Sequence, residues 1–196
     1  MQNEIVAHND LKIRVQEGFF NASDSNELLQ TLIETLPWES MKIRMFGREV
    51  VIPRLQCWIG DDGCEYSYSG KQLHRQPWTS EILMIKKKIL EKTNLKFNSV
   101  LVNYYRDGQD SMGWHADDEK ELGKNPTIAA LSFGGERDLV FKNIHSKDTL
   151  AIPQLHGALI IIDGKTQRYW QHSIKKTKKF ISPRINLTFR NIILPN

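Results

Sequence analysis

From about residue 98 to the C-terminus, apolar positions come in short runs bounded by Gly, Pro, Asn or Asp, which is the signature of β-strands joined by tight turns. The pattern predicts strands over Ser99–Tyr105, 127–133, 138–142, 149–152, 158–162 and 185–193. The N-terminal part reads differently. After an extended piece at 11–15, Leu28, Leu29, Leu32, Ile33 and Leu36 recur at helical spacing over 24–36, with Asp24 and Glu27 arranged like a capping box. A second helix is predicted over 80–92, where Ile82, Leu83, Ile85, Ile89 and Leu90 form an apolar stripe entered through Pro77 and Thr79. Between the helices, 45–70 is rich in Gly, Tyr and charged residues and reads as strands and exposed hairpins.

Many short strands at near-regular intervals argue for a sandwich or jelly roll rather than alternating βαβ units. The expected fold is therefore α+β, with a sandwich or jelly-roll core over about 98–196 and an extension with helices over about 1–97. At 196 residues and 40% hydrophobic, the chain suits one domain with one well-buried core. Its longest apolar stretch, 158–162, is far too short to span a membrane, and no signal sequence is visible in the polar first ten residues. Two cysteines, Cys57 and Cys64, form neither a disulfide framework nor a zinc pattern and fit the reducing cytoplasm, where a monomer is expected. The net charge of +4 is mildly favourable to polyanions. Lys175, Lys176, Lys178 and Lys179 could line phosphates, whereas Lys86, Lys87 and Lys88 read as a soluble helix face.

Candidate chemistry lies in the last half. His115 and Asp117, two apart, project to the same side of an extended backbone and could give two of the three groups that hold ferrous iron on one octahedral face. A second His-x-Asp, His8-Asn9-Asp10, sits in a polar N-terminal stretch and reads as a solvated segment. The third ligand must come from another strand. His145 lies in a polar turn, His156 precedes Gly157 at a strand start, and His172 follows Tyr169-Trp170-Gln171, so His172 is favoured and His156 reads as a satisfied structural histidine. Further on, Arg184, Asn186, Thr188 and Arg190 alternate with Ile185, Leu187 and Phe189. A surface strand alternates in the same way, but two Arg and one Asn with few acidic neighbours suit a carboxylate-bearing ligand. Their backbones are about 20 Å apart along a strand, so both can meet one small molecule only on a curved strand or with inward-leaning stems.

Five blocks carry a specific resemblance. Asn103-Tyr104-Tyr105-Arg106-Asp107-Gly108, Gly113-Trp114-His115-Ala116-Asp117-Asp118-Glu119, Leu131-Ser132-Phe133-Gly134, Trp170-Gln171-His172-Ser173 and Pro183-Arg184-Ile185-Asn186-Leu187-Thr188-Phe189-Arg190 occur in the order and kind of the AlkB family. The chain resembles these iron(II)- and 2-oxoglutarate-dependent dioxygenases, above all the branch acting on duplex DNA, and the resemblance implies that the core is a double-stranded β-helix (jelly roll) flanked by the N-terminal helices. The resemblance implies His115, Asp117 and His172 as iron ligands, and Arg184 as partner of the far carboxylate of 2-oxoglutarate. It further implies Arg190 at the iron-proximal end of that co-substrate and Asn103, Tyr105 and Asn186 as hydrogen-bonding partners. The implied reaction with Fe(II), 2-oxoglutarate and O2 is oxidative dealkylation of N-alkylated bases such as 1-methyladenine and 3-methylcytosine. The co-substrate goes to succinate and CO2, the N-alkyl carbon is hydroxylated, and the product falls apart to aldehyde and restored base.

Upstream, Tyr66-Ser67-Tyr68-Ser69-Gly70 and Gln76-Pro77-Trp78 resemble the region that covers the flipped base, a nucleotide-recognition lid in which Tyr66, Tyr68 and Ser69 would contact substrate. Glu119 matches a position that reads the base's polar edge, and Met45-Phe46-Gly47-Arg48 resembles a hairpin that inserts an apolar wedge, Phe46, into the stack. The expected partner is alkylated DNA, duplex or single-stranded, with RNA possible and no membrane. Two other readings stay open at this point: the same chemistry on RNA or protein, or a nucleic-acid-binding module without catalysis.

Overall fold

The structure is a computed structural model in which residues 3–45, 47–65, 67–68 and 71–194 are described. In chain order the strands are β1 (Asn3–His8), β2 (Leu11–Gln16), β3 (Lys42–Met45), β4 (Arg48–Val51), β5 (Leu55–Gly60), β6 (Ser67–Tyr68), β7 (Lys71–Gln72), β8 (Arg75–Gln76), β9 (Ser99–Tyr105), β10 (Met112–His115), β11 (Ile128–Gly134), β12 (Arg137–Asn143), β13 (Thr149–Gln154), β14 (Leu159–Ile162), β15 (Trp170–Ile174) and β16 (Arg184–Arg190). The helices are α1 (Ala22–Thr35), α2 (Ser80–Thr93) and the single turn α3 (Thr166–Tyr169). Eight strands form a major sheet in the order β1-β2-β14-β11-β16-β9-β5-β8, and β10-β15-β12-β13 form a minor sheet; two small hairpins, β3-β4 and β6-β7, stand apart. The result is the jelly roll expected of short antiparallel strands, and the first 97 residues supply four of the eight major-sheet strands, β1, β2, β5 and β8.

Both faces of the major sheet are covered, which explains why its strands read as nearly continuous apolar runs. On one face Ile185, Leu187 and Phe189 of β16 pack with Leu28 and Leu32 of α1 and Ile82, Ile85 and Ile89 of α2. Between the sheets Ile128, Ala130, Ile160 and Ile162 meet Met112, Leu139, Phe141, Trp170 and Ile174. Helix α1 and its C-cap thus bury Leu28, Leu32 and Leu36 of the stripe that the period marks, whereas α2 buries Ile82, Ile85 and Ile89 and leaves Leu83 and Leu90, expected in the same stripe, exposed.

Several boundaries differ from the sequence reading. The first helix begins at Ala22 and not at 24; its N-cap is Asn21, whose side-chain oxygen accepts from the Asp24 N–H at 2.9 Å, so the capping box expected from Asp24 and Glu27 is displaced by three residues. Asp24 is instead inside the first turn, where its carboxylate accepts from Asn21 Nδ2 at 3.1 Å and faces the helix N-terminus. The second helix starts where expected, with Thr79 as N-cap and Asn94 in the left-handed conformation at its end. His8-Asn9-Asp10 is the end of β1 and the two-residue turn into β2, with Asn9 and Asp10 both at positive φ, a turn that the right-handed strand twist favours. The last strand stops at Arg190, after which the Ile192 N–H donates to the Asn98 side chain at 2.7 Å. Strands β10 and β15, which carry the two histidines, went unrecognised, because Gly113 and Trp114 are exposed and neither segment shows a clean period of two. Among the described residues, no helix is long and apolar enough to cross a membrane.

Candidate functional site

His115 closes β10 and His172 is the middle residue of β15; the two are directly paired across the ladder, with ring centroids 4.2 Å apart. Asp117 follows two residues after His115, beyond the end of the strand, and its Oδ2 lies 3.5 Å from His172 Nε2. One donor atom from each of the three side chains lies within 4.8 Å of the others. Two imidazoles and one carboxylate converging in this way could hold a divalent first-row metal with coordination positions left open. His115 Nδ1 lies 2.9 Å from the Gly113 carbonyl, which can only accept, so Nδ1 carries the proton and Nε2 keeps its lone pair for a metal.

Electrostatics prepares the same state. Burial pushes the His172 pKa down to about 3, with His115 adding to the fall and Asp117 opposing it. His115 is shifted down as well, by burial first, against the pull of Asp117. Both rings are therefore neutral near pH 7, the form in which an imidazole can bind a metal. Burial alone would raise the Asp117 carboxyl, but Arg190 and the two imidazoles outweigh it and hold the group below the ordinary carboxylate range. Arg190 Nη2 donates directly to Asp117 Oδ1 inside the buried site.

The alternation on β16 has a different meaning from that of a surface strand. All seven residues are buried, so the polar face of Arg184, Asn186, Thr188 and Arg190 turns inward, between the sheets. A cavity of about 40 Å³ is lined there by His115, Asp117 and His172 together with Asn103, Tyr105, Arg184, Asn186 and Arg190. Arg184 is 1% exposed; its Nη2 donates to Ser132 Oγ at 2.9 Å, to Asn186 Oδ1 at 3.1 Å and to Gln154 Oε1, while Nε and Nη1 have no hydrogen-bond partner. Burial lowers its pKa to about 10, with Tyr105 opposing, so the guanidinium stays charged at neutral pH. A buried cation with two donor nitrogens unanswered fits a ligand carboxylate, since leaving such groups unpaired is expensive. Both arginines line the one cavity despite their separation along the strand.

Four contributors escaped the sequence reading. Ser132 and Gln154 fix Arg184, and Ser132 could have been found as a lone polar side chain in the otherwise apolar run of β11. Arg54 is buried and donates from Nε to Asn103 Oδ1 at 2.9 Å, which orients an expected co-substrate contact. Gln167 accepts from the Asp117 main-chain N–H at 3.0 Å. No local pattern marks Arg54 or Gln167, because their partners are 49 and 50 residues away.

The remaining expected residues are as follows. Glu119 is half-buried at the start of a 3-10 turn, and its carbonyl accepts from the Leu122 N–H at 2.9 Å. Phe46, Tyr66 and Ser69 lie outside the described residues; the backbone of Tyr68 pairs with Lys71 in the β6-β7 hairpin. His156 Nδ1 accepts from the Gly134 N–H at 2.8 Å, the structural role expected of it, and His145 is in the β12-β13 turn. His8 is exposed, 3.6 Å from Asp148. Lys175, Lys176, Lys178 and Lys179 are exposed on the connection from β15 to β16, which buried Arg137 ties down by donating to the carbonyls of Asp107, Asp110 and Lys175.

Comparison with known proteins agrees with this geometry. Residues 12–190 match the family model described as 2OG-Fe(II) oxygenase superfamily. The chain is 36% identical over 186 residues to the human DNA oxidative demethylase ALKBH2, covering 89% of this chain and 71% of that protein. It is 37% identical over 194 residues to the mouse alpha-ketoglutarate-dependent dioxygenase alkB homolog 3, covering 92% of this chain and 66% of the relative. The chain thus spans about two thirds or somewhat more of the relatives it matches. The solved structure titled OsALKBH1 superposes with a TM-score of 0.67 over 96% of this chain and 100% of that one; at 14% identity this supports the fold. Fold, metal-binding cluster and relatives concur over nearly the whole chain, and the protein belongs to the AlkB family of the 2OG-Fe(II) oxygenase superfamily, whose members depend on ferrous iron, 2-oxoglutarate and O2.

Proposed function

We propose that this chain removes alkyl groups from the nitrogen atoms of bases in DNA, with 1-methyladenine and 3-methylcytosine as representative lesions. In this reading His115, Asp117 and His172 hold the iron, and Arg184 takes the far carboxylate of 2-oxoglutarate with its free Nε and Nη1. Asn103, Tyr105 and Asn186, which line the same cavity, hydrogen-bond the co-substrate, and Arg190 supports its iron-proximal end. When bound, iron and 2-oxoglutarate supply the oxidising chemistry that hydroxylates the N-alkyl carbon, from which aldehyde then leaves. The chain's own work is positional. Arg190 neutralises Asp117, Gly113 fixes the His115 tautomer, and Ser132, Gln154 and Asn186 orient Arg184. The observation that carries the reading is the meeting, in one buried cavity, of three metal-binding side chains with a guanidinium that has donors to spare.

The substrate class rests on relatives named DNA oxidative demethylase and on the exposed lysines after β15, which suit a phosphate backbone. Tyr66, Tyr68, Ser69 and Glu119 are read as contacts to a flipped base and Phe46 as a wedge. The β3-β4 hairpin that would carry it exposes Val50 and Val51 at 42% and 52%, apolar surface that inserting into a base stack would cover. Free buried thiols at Cys57 and Cys64 accord with a reducing cytoplasm, and the reading takes the protein as a monomer. The test is anaerobic iron loading, then aerobic turnover on duplex DNA, single-stranded DNA and RNA carrying each lesion. Base restoration with matching succinate on DNA is expected; succinate on RNA alone would move the substrate, and neither product on any nucleic acid would refute the assignment.

A further inference from the structure

Asp117 differs from its two partners in how it is held. The histidines belong to paired strands, whereas Asp117 lies past the end of β10 in irregular backbone. What fixes its main chain is a side chain: the Asp117 N–H donates to Gln167 Oε1 at 3.0 Å, and the two residues are 1% and 4% exposed. A main-chain N–H can be met only by the amide oxygen, so the orientation of Gln167 is determined, and its Nε2 is left without a hydrogen-bond partner. A glutamine retained at that cost is held for its acceptor.

Gln167 is itself well founded. It sits in α3, directly before β15 and His172. The β1-β2 hairpin grips that segment: the Lys12 N–H donates to Thr166 Oγ1 at 3.0 Å, the Asp163 N–H donates to the Lys12 carbonyl at 3.0 Å, and Trp170 Nε1 donates to the Asn9 carbonyl at 2.9 Å. One stretch of chain, 163–172, therefore carries one imidazole and sets the backbone that bears the carboxylate.

We infer that Gln167 is a positioning residue for the metal centre: it replaces the missing strand ladder at Asp117 and fixes the carboxylate relative to His172, with the N-terminal hairpin as its footing. The inference rests on the assignment of Asp117 as a ligand. It gives the tip of the β1-β2 hairpin, far from the cavity in sequence, a part in metal retention.

The test is titration of the metal-free full chain with Co(II), followed by its ligand-field absorption, in wild type and in Gln167→Met, which keeps the length and loses the acceptor. Gln167→Met should bind Co(II) about 10- to 100-fold more weakly, with far-UV circular dichroism unchanged. Amide hydrogen exchange gives a second measurement on wild type alone: the Asp117 N–H should be protected without metal, although it lies outside any strand. Affinity in Gln167→Met within about twofold of wild type, or an unprotected Asp117 amide in wild type, overturns the inference. If Gln167→Met does not fold, the exchange result decides. Failure of the underlying site reads differently, as a wild type that takes up no Co(II) or an Asp117→Ala variant that binds it normally.

Discussion

His115 faces His172 across an antiparallel ladder, with a bulge between Met112 and His115 that adjusts the register of β10. Side chains alternate across a sheet, so a slip of one residue would turn one imidazole outward, and the bulge is what lets a short strand present its histidine at the right place. The placement of the two histidines is thus a property of strand pairing.

Removal of either ring should therefore abolish function without unfolding the protein. His115→Ala and His172→Ala are expected to lower turnover by more than about 100-fold and to lose stoichiometric iron, a larger effect than loss of an outer partner. Metal analysis and succinate release check this; a variant that keeps iron and turnover would remove that histidine from the site.

Arg184 supplies the second prediction. Lysine keeps the charge but not the fork geometry, so Arg184→Lys should raise KM for 2-oxoglutarate by roughly 100-fold with a smaller change in kcat at saturation. Gln154→Ala, which frees one edge of the guanidinium, should act in the same direction and less strongly. Steady-state kinetics with varied 2-oxoglutarate makes the measurement, and an unchanged KM in Arg184→Lys would contradict the cradle.

The depressed pKa of His172 has a consequence for the metal-free protein. The unfolded chain takes up this proton near the usual 6.5, whereas the folded chain does so only at about 3. Between those values the unfolded state binds more protons, so stability rises with pH across the window and falls as the solution is acidified below 6.5. His115 shifts in the same direction. Urea unfolding midpoints should decline steadily from pH 7 to pH 4, and His172→Gln should flatten that decline.

How much of this was legible in the chain depended on the range of the signal. Helix α2 and strand β9 follow from local periodicity and were read to within a residue. The inward polar face of β16 was visible as alternation, yet its burial was not, because a helix layer on one side and a second sheet on the other are facts of tertiary packing. His172 is favoured over His156 by its neighbours and by the family resemblance of Trp170-Gln171-His172-Ser173, since β15 has no period of its own, and its place beside His115 follows from pairing with β10. The start of α1 was misplaced because Asp24 and Glu27 form an acceptable capping pair, while Asn21 has the backbone geometry to cap.

That cap is checked by Asn21→Ala, which should cost about 1 kcal/mol of stability, as loss of a helix N-cap commonly does. Asp24→Ala should cost less, because Asn21 would still accept from the main chain. Thermal unfolding of the two variants ranks them; the reverse order would restore the cap to Asp24.

The central claim is that His115, Asp117 and His172 gather one ferrous ion beside an arginine that receives 2-oxoglutarate. The most direct measurement is anaerobic addition of Fe(II) and 2-oxoglutarate to the purified chain, followed by visible absorption. A charge-transfer band should appear at one iron per chain, require both additions, vanish in His172→Ala and need far more 2-oxoglutarate in Arg184→Lys. A wild-type protein that develops no band, or a band that persists in His172→Ala, would contradict the account.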